Sequence, residues 1–128
     1  MEDLILINHA FGAPGLRLFG LGPKFMPLHG IERLQTLFNA NTSWAKHRSK
    51  KDIKKMLSSS QVVVSAWKDQ SLIGFGRATS DKVYRAVLWD IVVERSEQNF
   101  GIGKRIINSL ISHKLISNVE KIYIMTTK

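Results

Sequence analysis

Gln98, Gly101 and Gly103 are the residues whose spacing could do chemistry. They follow an apolar run over 87–93 and a polar turn, and they open an amphipathic stretch beginning at Ile102. A strand that leads through such a turn into a helix leaves unpaired backbone N–H groups pointing outward. The helix dipole adds about half a positive charge there. Two glycines let a ligand approach the backbone with no Cβ in the way. The natural guest of this crook is a diphosphate. A second cluster is cationic: Lys46, His47, Arg48, Lys50, Lys51, Lys54 and Lys55 fall within ten residues. It reads either as a solvated helix face or as an electrostatic funnel for an anionic ligand.

The elements that must position these residues have to come from a short chain. Its 128 residues predict one domain, and 44% hydrophobic content allows a modest core. The absence of cysteine excludes a disulfide framework, a thiolate metal site and a cysteine nucleophile. No apolar run approaches the ~20 residues that span a bilayer. Met1-Glu2-Asp3 and the short apolar run behind it fit neither a secretory signal nor a transit peptide. The net charge of +9, from 19 basic and 10 acidic residues, points to an anionic partner: nucleic acid, an anionic surface or a phosphorylated cofactor.

Residues 1–28 hold all three prolines and read as an irregular arm with a short edge strand over 4–7. Residues 29–128 read as the folded domain. Helical spacing of Ile31, Leu34, Leu37 and Phe38 predicts a helix over 31–39, and Ile53, Met56 and Leu57 predict another over 50–58, capped by Ser49. The period then changes. Strands are predicted over 62–67, 72–79 and 83–93, with links short enough for an antiparallel meander. Gly74 and Gly76 inside the second strand mark a bulge or a close backbone approach. A helix over 101–115 and a strand over 119–125 complete a strand–helix–strand unit. Its right-handed crossover makes the last strand parallel to the third. The fold class is α/β (α+β) with a mixed sheet.

The crook is not a P-loop, because Arg105 stands where Ser or Thr should follow Gly103-Lys104. Nor is it a dinucleotide fingerprint, because Ile106 stands where the third glycine should fall. Gln98-Asn99-Phe100-Gly101-Ile102-Gly103 matches the Q/R-x-x-G-x-G/A signature of the GNAT superfamily of N-acetyltransferases, and the chain resembles that family over about 31–125. Two longer strings, Leu72-Ile-Gly-Phe-Gly-Arg-Ala-Thr-Ser-Asp81 and Tyr84-Arg-Ala-Val-Leu-Trp-Asp90, are similar to its cyanobacterial and plastid branch, which includes the plant-type serotonin N-acetyltransferases.

The resemblance implies acetyl-CoA as co-substrate and an amine acceptor, with no metal. The pantetheine arm would lie along the backbones of Ile91, Val92 and Val93. The diphosphate would sit on the amides of Asn99, Phe100, Gly101, Ile102, Gly103 and Lys104, with Gln98 beginning the turn. A backbone N–H near Val92 would stabilise the oxyanion. Asp90, a carboxylate in an apolar strand, is either the base that takes the amine's proton or a hydrogen-bonded structural residue. As a base it is expected to have a pKa raised by desolvation. Trp89 is expected on the opposite face from Asp90, walling the acceptor pocket or filling the core. His9, His29, His47 and His113 show no ligand spacing. Tyr84 and Tyr123 sit on strands, within reach of the site or simply packed.

In the family a further helix and two strands follow the last parallel strand. This sequence runs out at Thr126-Thr127-Lys128, so those elements are expected to be missing and the strand over 119–125 to be an open edge, available for pairing in a dimer. The sequence is then a fragment, a half completed by a partner, or a weak binder of CoA. Rival functional classes are a basic nucleic-acid or ribosome-binding module and a CoA-binding domain without catalysis. The resemblance suits bacterial cytoplasm or the plastid stroma.

Overall fold

The computed structural model describes residues 4–9, 16–19 and 29–126. A five-stranded sheet runs in the order β1 (Leu4–His9), β2 (Val62–Lys68), β3 (Ser71–Ser80), β4 (Arg85–Val93), β5 (Lys121–Ile124). The first four strands are antiparallel and β5 lies parallel to β4. The short helix α1 (Leu16–Phe19) and helices α2 (Gly30–Asn41) and α3 (Lys50–Ser59) precede the meander. Helix α4 (Ile102–Ile111) crosses between β4 and β5.

Both faces of the sheet are covered, so β2 carries no solvent-facing alternation, every residue from Val62 to Trp67 being buried. On one face Leu34, Leu37 and Phe38 of α2 and Ile53 and Leu57 of α3 pack against Val63, Trp67, Phe75 and Val92. On the other, Ile102, Ile106 and Leu110 of α4 pack against Val64, Ala66, Ala78 and Leu88. Each of these side chains, taken out of water, contributes about 1.5–3 kcal/mol. Helix α3 begins where the sequence predicts: Ser49 accepts a hydrogen bond from the Asp52 N–H at 3.1 Å.

The described part of the 1–28 arm packs onto the domain. β1 pairs with β2 along its length, from Leu4 opposite Lys68 to His9 opposite Val63. Leu18 is fully buried and Arg17 stacks on the Trp67 ring at 5.2 Å. The rest of the arm lies outside the described residues.

Helix α4 is shorter than predicted. It ends at Ile111 because the His113 ring accepts the Leu115 N–H at 3.1 Å and holds a turn that buries Ile116. The strand glycines have the predicted cause. A Cβ on Gly76 would lie 2.7 Å from Ile106 and 2.8 Å from Ile91, and one on Gly74 would lie 2.8 Å from Ile106. Helix α4 therefore approaches the sheet as closely as it does because these positions carry no side chain.

Candidate functional site

Strands β4 and β5 pair only over their first halves. The register runs from Arg85 opposite Lys121 to Leu88 opposite Ile124, with a last bond from the Met125 N–H to the Leu88 carbonyl at 2.9 Å. Past Leu88, β4 continues for five residues to Val93 with no β5 partner among the described residues. Ile91, Val92 and Val93 lie past the last β4–β5 bond, beyond the four residues of β5.

A bulge interrupts β4 just past Leu88. Phe75 lies opposite Val92 and Arg77 opposite Trp89, so Asp90 and Ile91 together oppose Gly76. Asp90 takes up the extra residue with φ of 55°, in the left-handed region that costs a non-glycine residue about 1–2 kcal/mol. This bulge corrects the strict alternation expected of the strand. Trp89 and Asp90 do not point to opposite faces. Both turn toward α2 and α3, while Ile91 goes to the α4 side.

The result is a cluster that local sequence does not reveal. Arg48, just ahead of α3, forms a forked pair with Asp90, Nη1 to Oδ2 at 3.1 Å and Nη2 to Oδ1 at 3.2 Å. Arg77 adds Nε to Oδ2 at 2.8 Å. Asp90 is 7% exposed, so this carboxylate is buried and doubly paired. Burial alone would push its carboxyl up. The hydrogen bonds and charges of Arg48 and Arg77 outweigh that and hold it below the usual carboxylate range. The raised pKa expected of a base is therefore reversed. Trp89 donates from Nε1 to Thr79 Oγ1 at 2.8 Å, and the Arg77 guanidinium sits 5.5 Å from its ring. Trp44, Arg48, Arg77, Trp89 and Asp90, with Met125 and Thr126 at the end of β5, line a cavity of about 290 Å³.

The turn that follows β4 forms the crook. Gln98 folds back so that Nε2 donates to the Val93 carbonyl at 3.0 Å, closing the turn. Asn99 and Gly101 both have positive φ, 72° and 80°. Asparagine tolerates that region and glycine enters it freely. Gly101 is the N-cap of α4 and no side chain caps the helix. The first intrahelical bond is from the Arg105 N–H to the Gly101 carbonyl at 3.1 Å, so the amides of Ile102, Gly103 and Lys104 precede it. A Cβ on Gly101 would meet nothing within 4 Å, and one on Gly103 only Val93 at 3.7 Å. The space before these amides is open, which fits a diphosphate. Phe100 is 70% exposed beside it, and Lys104 is exposed one turn on.

A larger hollow of about 600 Å³ lies between α2, the start of β3 and the turn after β4. It carries Glu32, Glu94 and Glu97 against Arg33 and His29, the wrong sign for a diphosphate. Tyr84 and Tyr123 are 59% and 48% exposed. Among the described residues no helix is long and apolar enough to cross a membrane.

Arg77 could have been found from the sequence. It is the only charge in the apolar β3 run, and a carboxylate buried on the adjoining strand needs a partner. Arg48 had no such signal, because its neighbours are all cationic.

A mixed sheet whose bulged fourth strand leads through a turn into a glycine-capped helix and then a parallel strand defines the class. Residues 31–128 match the acetyltransferase (GNAT) family, and the chain belongs to it. It is 34% identical over 130 residues to the uncharacterized N-acetyltransferase ycf52 of Porphyra purpurea, covering 98% of this chain and 69% of that protein. It is 36% identical over 75 residues to the ycf52 protein of Pyropia yezoensis, covering 56% of this chain and 42% of the relative. A 47-residue stretch, 37% of this chain and 24% of the relative, is 38% identical to GCN5-related N-acetyltransferase 1, chloroplastic, of Arabidopsis thaliana. In these matches the chain spans from a quarter to about two thirds of the relative's length. Among solved structures it resembles a GNAT family acetyltransferase from Streptococcus pneumoniae TIGR4, with a TM-score of 0.70, 16% identity and coverage of 98% and 77%. It also resembles diaminobutyrate acetyltransferase EctA from Paenibacillus lautus, solved with its substrate and coenzyme A, with a TM-score of 0.65, 13% identity and coverage of 95% and 64%.

Proposed function

We propose that the chain is the cofactor-binding and acceptor-binding part of an N-acetyltransferase that moves an acetyl group from acetyl-CoA to a primary amine. The observation that carries this is the crook: Gly101 is a left-handed N-cap, and the amides of Ile102, Gly103 and Lys104 precede the first intrahelical bond of α4. The pantetheine arm would lie along Ile91, Val92 and Val93. The crook would take the diphosphate on the amides from Asn99 to Lys104. Val93 already accepts from Gln98, so its carbonyl has one lone pair left for such a contact.

Acetyl-CoA supplies an activated acyl group. The neutral amine attacks the thioester carbonyl, an N–C bond forms, the C–S bond breaks, and the amine's proton ends on the thiol. Unpaired β4 amides beside Val92 would hold the oxyanion. Asp90 is a weak base in its present state, because a carboxylate held below its ordinary pKa has little drive to take a proton. In this reading it is a positioning residue that fixes Arg48 and Arg77, and the ammonium loses its proton to water before attack. The acceptor classes open to such a site are an arylalkylamine, a protein N-terminus and a lysine side chain. The chloroplastic relative and the plastid-type strings favour a plastid or cyanobacterial setting.

The test is the melting temperature of the chain with and without acetyl-CoA. Ligand at ~100 times its dissociation constant stabilises the folded state by roughly 2.7 kcal/mol. A rise in melting temperature that disappears in Gly103→Trp supports the reading. A cooperative melt with no shift sinks it.

A further inference from the structure

The acceptor cavity has an excess of positive charge. Its lining holds two guanidiniums, Arg48 and Arg77, and one carboxylate, Asp90. Both Asp90 oxygens are already engaged, Oδ1 by Arg48 and Oδ2 by Arg48 and Arg77. Three of the roughly four acceptor sites of the carboxylate are thus taken, and its charge is offset by two guanidiniums. Arg77 uses Nε on Asp90 and Nη1 on Ser60 Oγ at 3.3 Å, and its Nη2 has no partner among the described residues. Among the described residues no buried side-chain nitrogen or oxygen lacks a partner, so this Nη2 is not buried. Outside this lining Lys46 and Lys51 are exposed, and Lys50 is paired with Glu32 at 2.8 Å.

A cavity of this charge repels a bare ammonium and attracts an anion. Its walls are two indoles, Trp44 at 45% exposure and Trp89, suited to a flat or apolar body. We propose, building on the acetyl-transfer reading, that the acceptor is an amine that carries its own carboxylate. The carboxylate seats on the open edge of Arg77 beside Arg48, with the apolar part of the molecule between Trp44 and Trp89. Guanidinium and carboxylate match as a fork, so the contact fixes orientation as well as charge. A free amino acid and a peptide N-terminus followed by an acidic side chain offer the same chemistry.

Acetylated products report the cavity without requiring turnover. Trp44 and Trp89 line it, so tryptophan fluorescence of the full chain follows binding directly. The titrants are N-acetylphenylalanine, its carboxamide, and N-acetylphenethylamine, which lacks the carboxyl carbon. We expect the acid to bind about ten-fold more tightly than either neutral compound. The advantage should shrink at about 0.5 M salt, where screening reaches ~4 Å, and vanish in Arg77→Met. Arg77→Lys, which keeps the charge and loses the fork, should fall between. N-acetylalanylaspartate against N-acetylalanylasparagine separates the peptide source from the free amino acid. Equal affinities for acid and carboxamide overturn the proposal, as does binding of none of the titrants. If Arg77→Met fails to fold, the salt dependence of the wild-type difference decides alone. Failure of the acetyl-transfer reading shows separately, as an unchanged melting temperature with acetyl-CoA.

Discussion

His9 makes the stability of this fold depend on pH over a defined window. It ends β1, is 6% exposed, and its Nε2 lies 2.7 Å from Ser65 Oγ, which also accepts from Trp67 Nε1 at 2.8 Å. Burial, aided by the nearby Arg17 charge, lowers its pKa from 6.5 to about 4. The unfolded chain therefore takes up a proton below pH 6.5 that the folded chain refuses until about pH 4. Stability is full above the unfolded value, falls as pH drops through the window, and levels off below the folded value. The total loss is roughly 3 kcal/mol, and about 2 kcal/mol of it is lost by pH 5. For a chain of this length that is a fall of about 7 °C in melting temperature between pH 7.5 and 5. The depressed carboxylates of Glu32, Asp81 and Asp90 act lower, near and below their ordinary values of 4.5, 3.8 and 3.8, and leave this window to histidine. The assay is urea unfolding at a series of pH values for wild type and His9→Gln, which keeps a polar partner for Ser65 and cannot titrate. The variant should lose most of the slope. An equal slope in the two proteins would refute the assignment.

Other outcomes follow from the same geometry. Asp90→Asn leaves two guanidiniums packed without their counter-charge and should destabilise the fold by about 3 kcal/mol in denaturant titration. Gly76→Ala drives a methyl into Ile106 and Ile91 and should cost about 1–3 kcal/mol, read as a lower melting temperature. Gly103→Ala meets only Val93 at 3.7 Å, so it should leave stability unchanged or raise it by up to ~1 kcal/mol while weakening acetyl-CoA binding in calorimetry. If the amine loses its proton to water, kcat/KM should rise with pH up to the acceptor's own pKa. A plateau from pH 5 upward would restore Asp90 as the base.

Much of the frame is set by local rules, and local rules are what a sequence displays. Ile31, Leu34, Leu37 and Phe38 recur at the helical period and all are buried in α2. Ser49 caps α3 because a hydroxyl ahead of a helix has orphan amides to satisfy. Gln98-x-x-Gly101-x-Gly103, after a strand and a polar turn, announces a turn into a helix before any coordinates. The parallel setting of β5 follows from crossover handedness.

The surroundings of Asp90 were decided elsewhere. Period-2 alternation places Trp89 and Asp90 on opposite faces, and one extra residue opposite Gly76 puts them on the same one. Whether that residue is inserted depends on β3 register and on how tightly Ile106 presses against Gly74 and Gly76, both long-range facts. The charge state of Asp90 depends in turn on Arg48, 42 residues away, and Arg77, 13 residues away. A carboxylate in an apolar strand tells the reader that a partner must exist. Only the tertiary structure, which brings a residue ahead of α3 and a residue of β3 onto the same carboxylate, determines that there are two and that both are cationic.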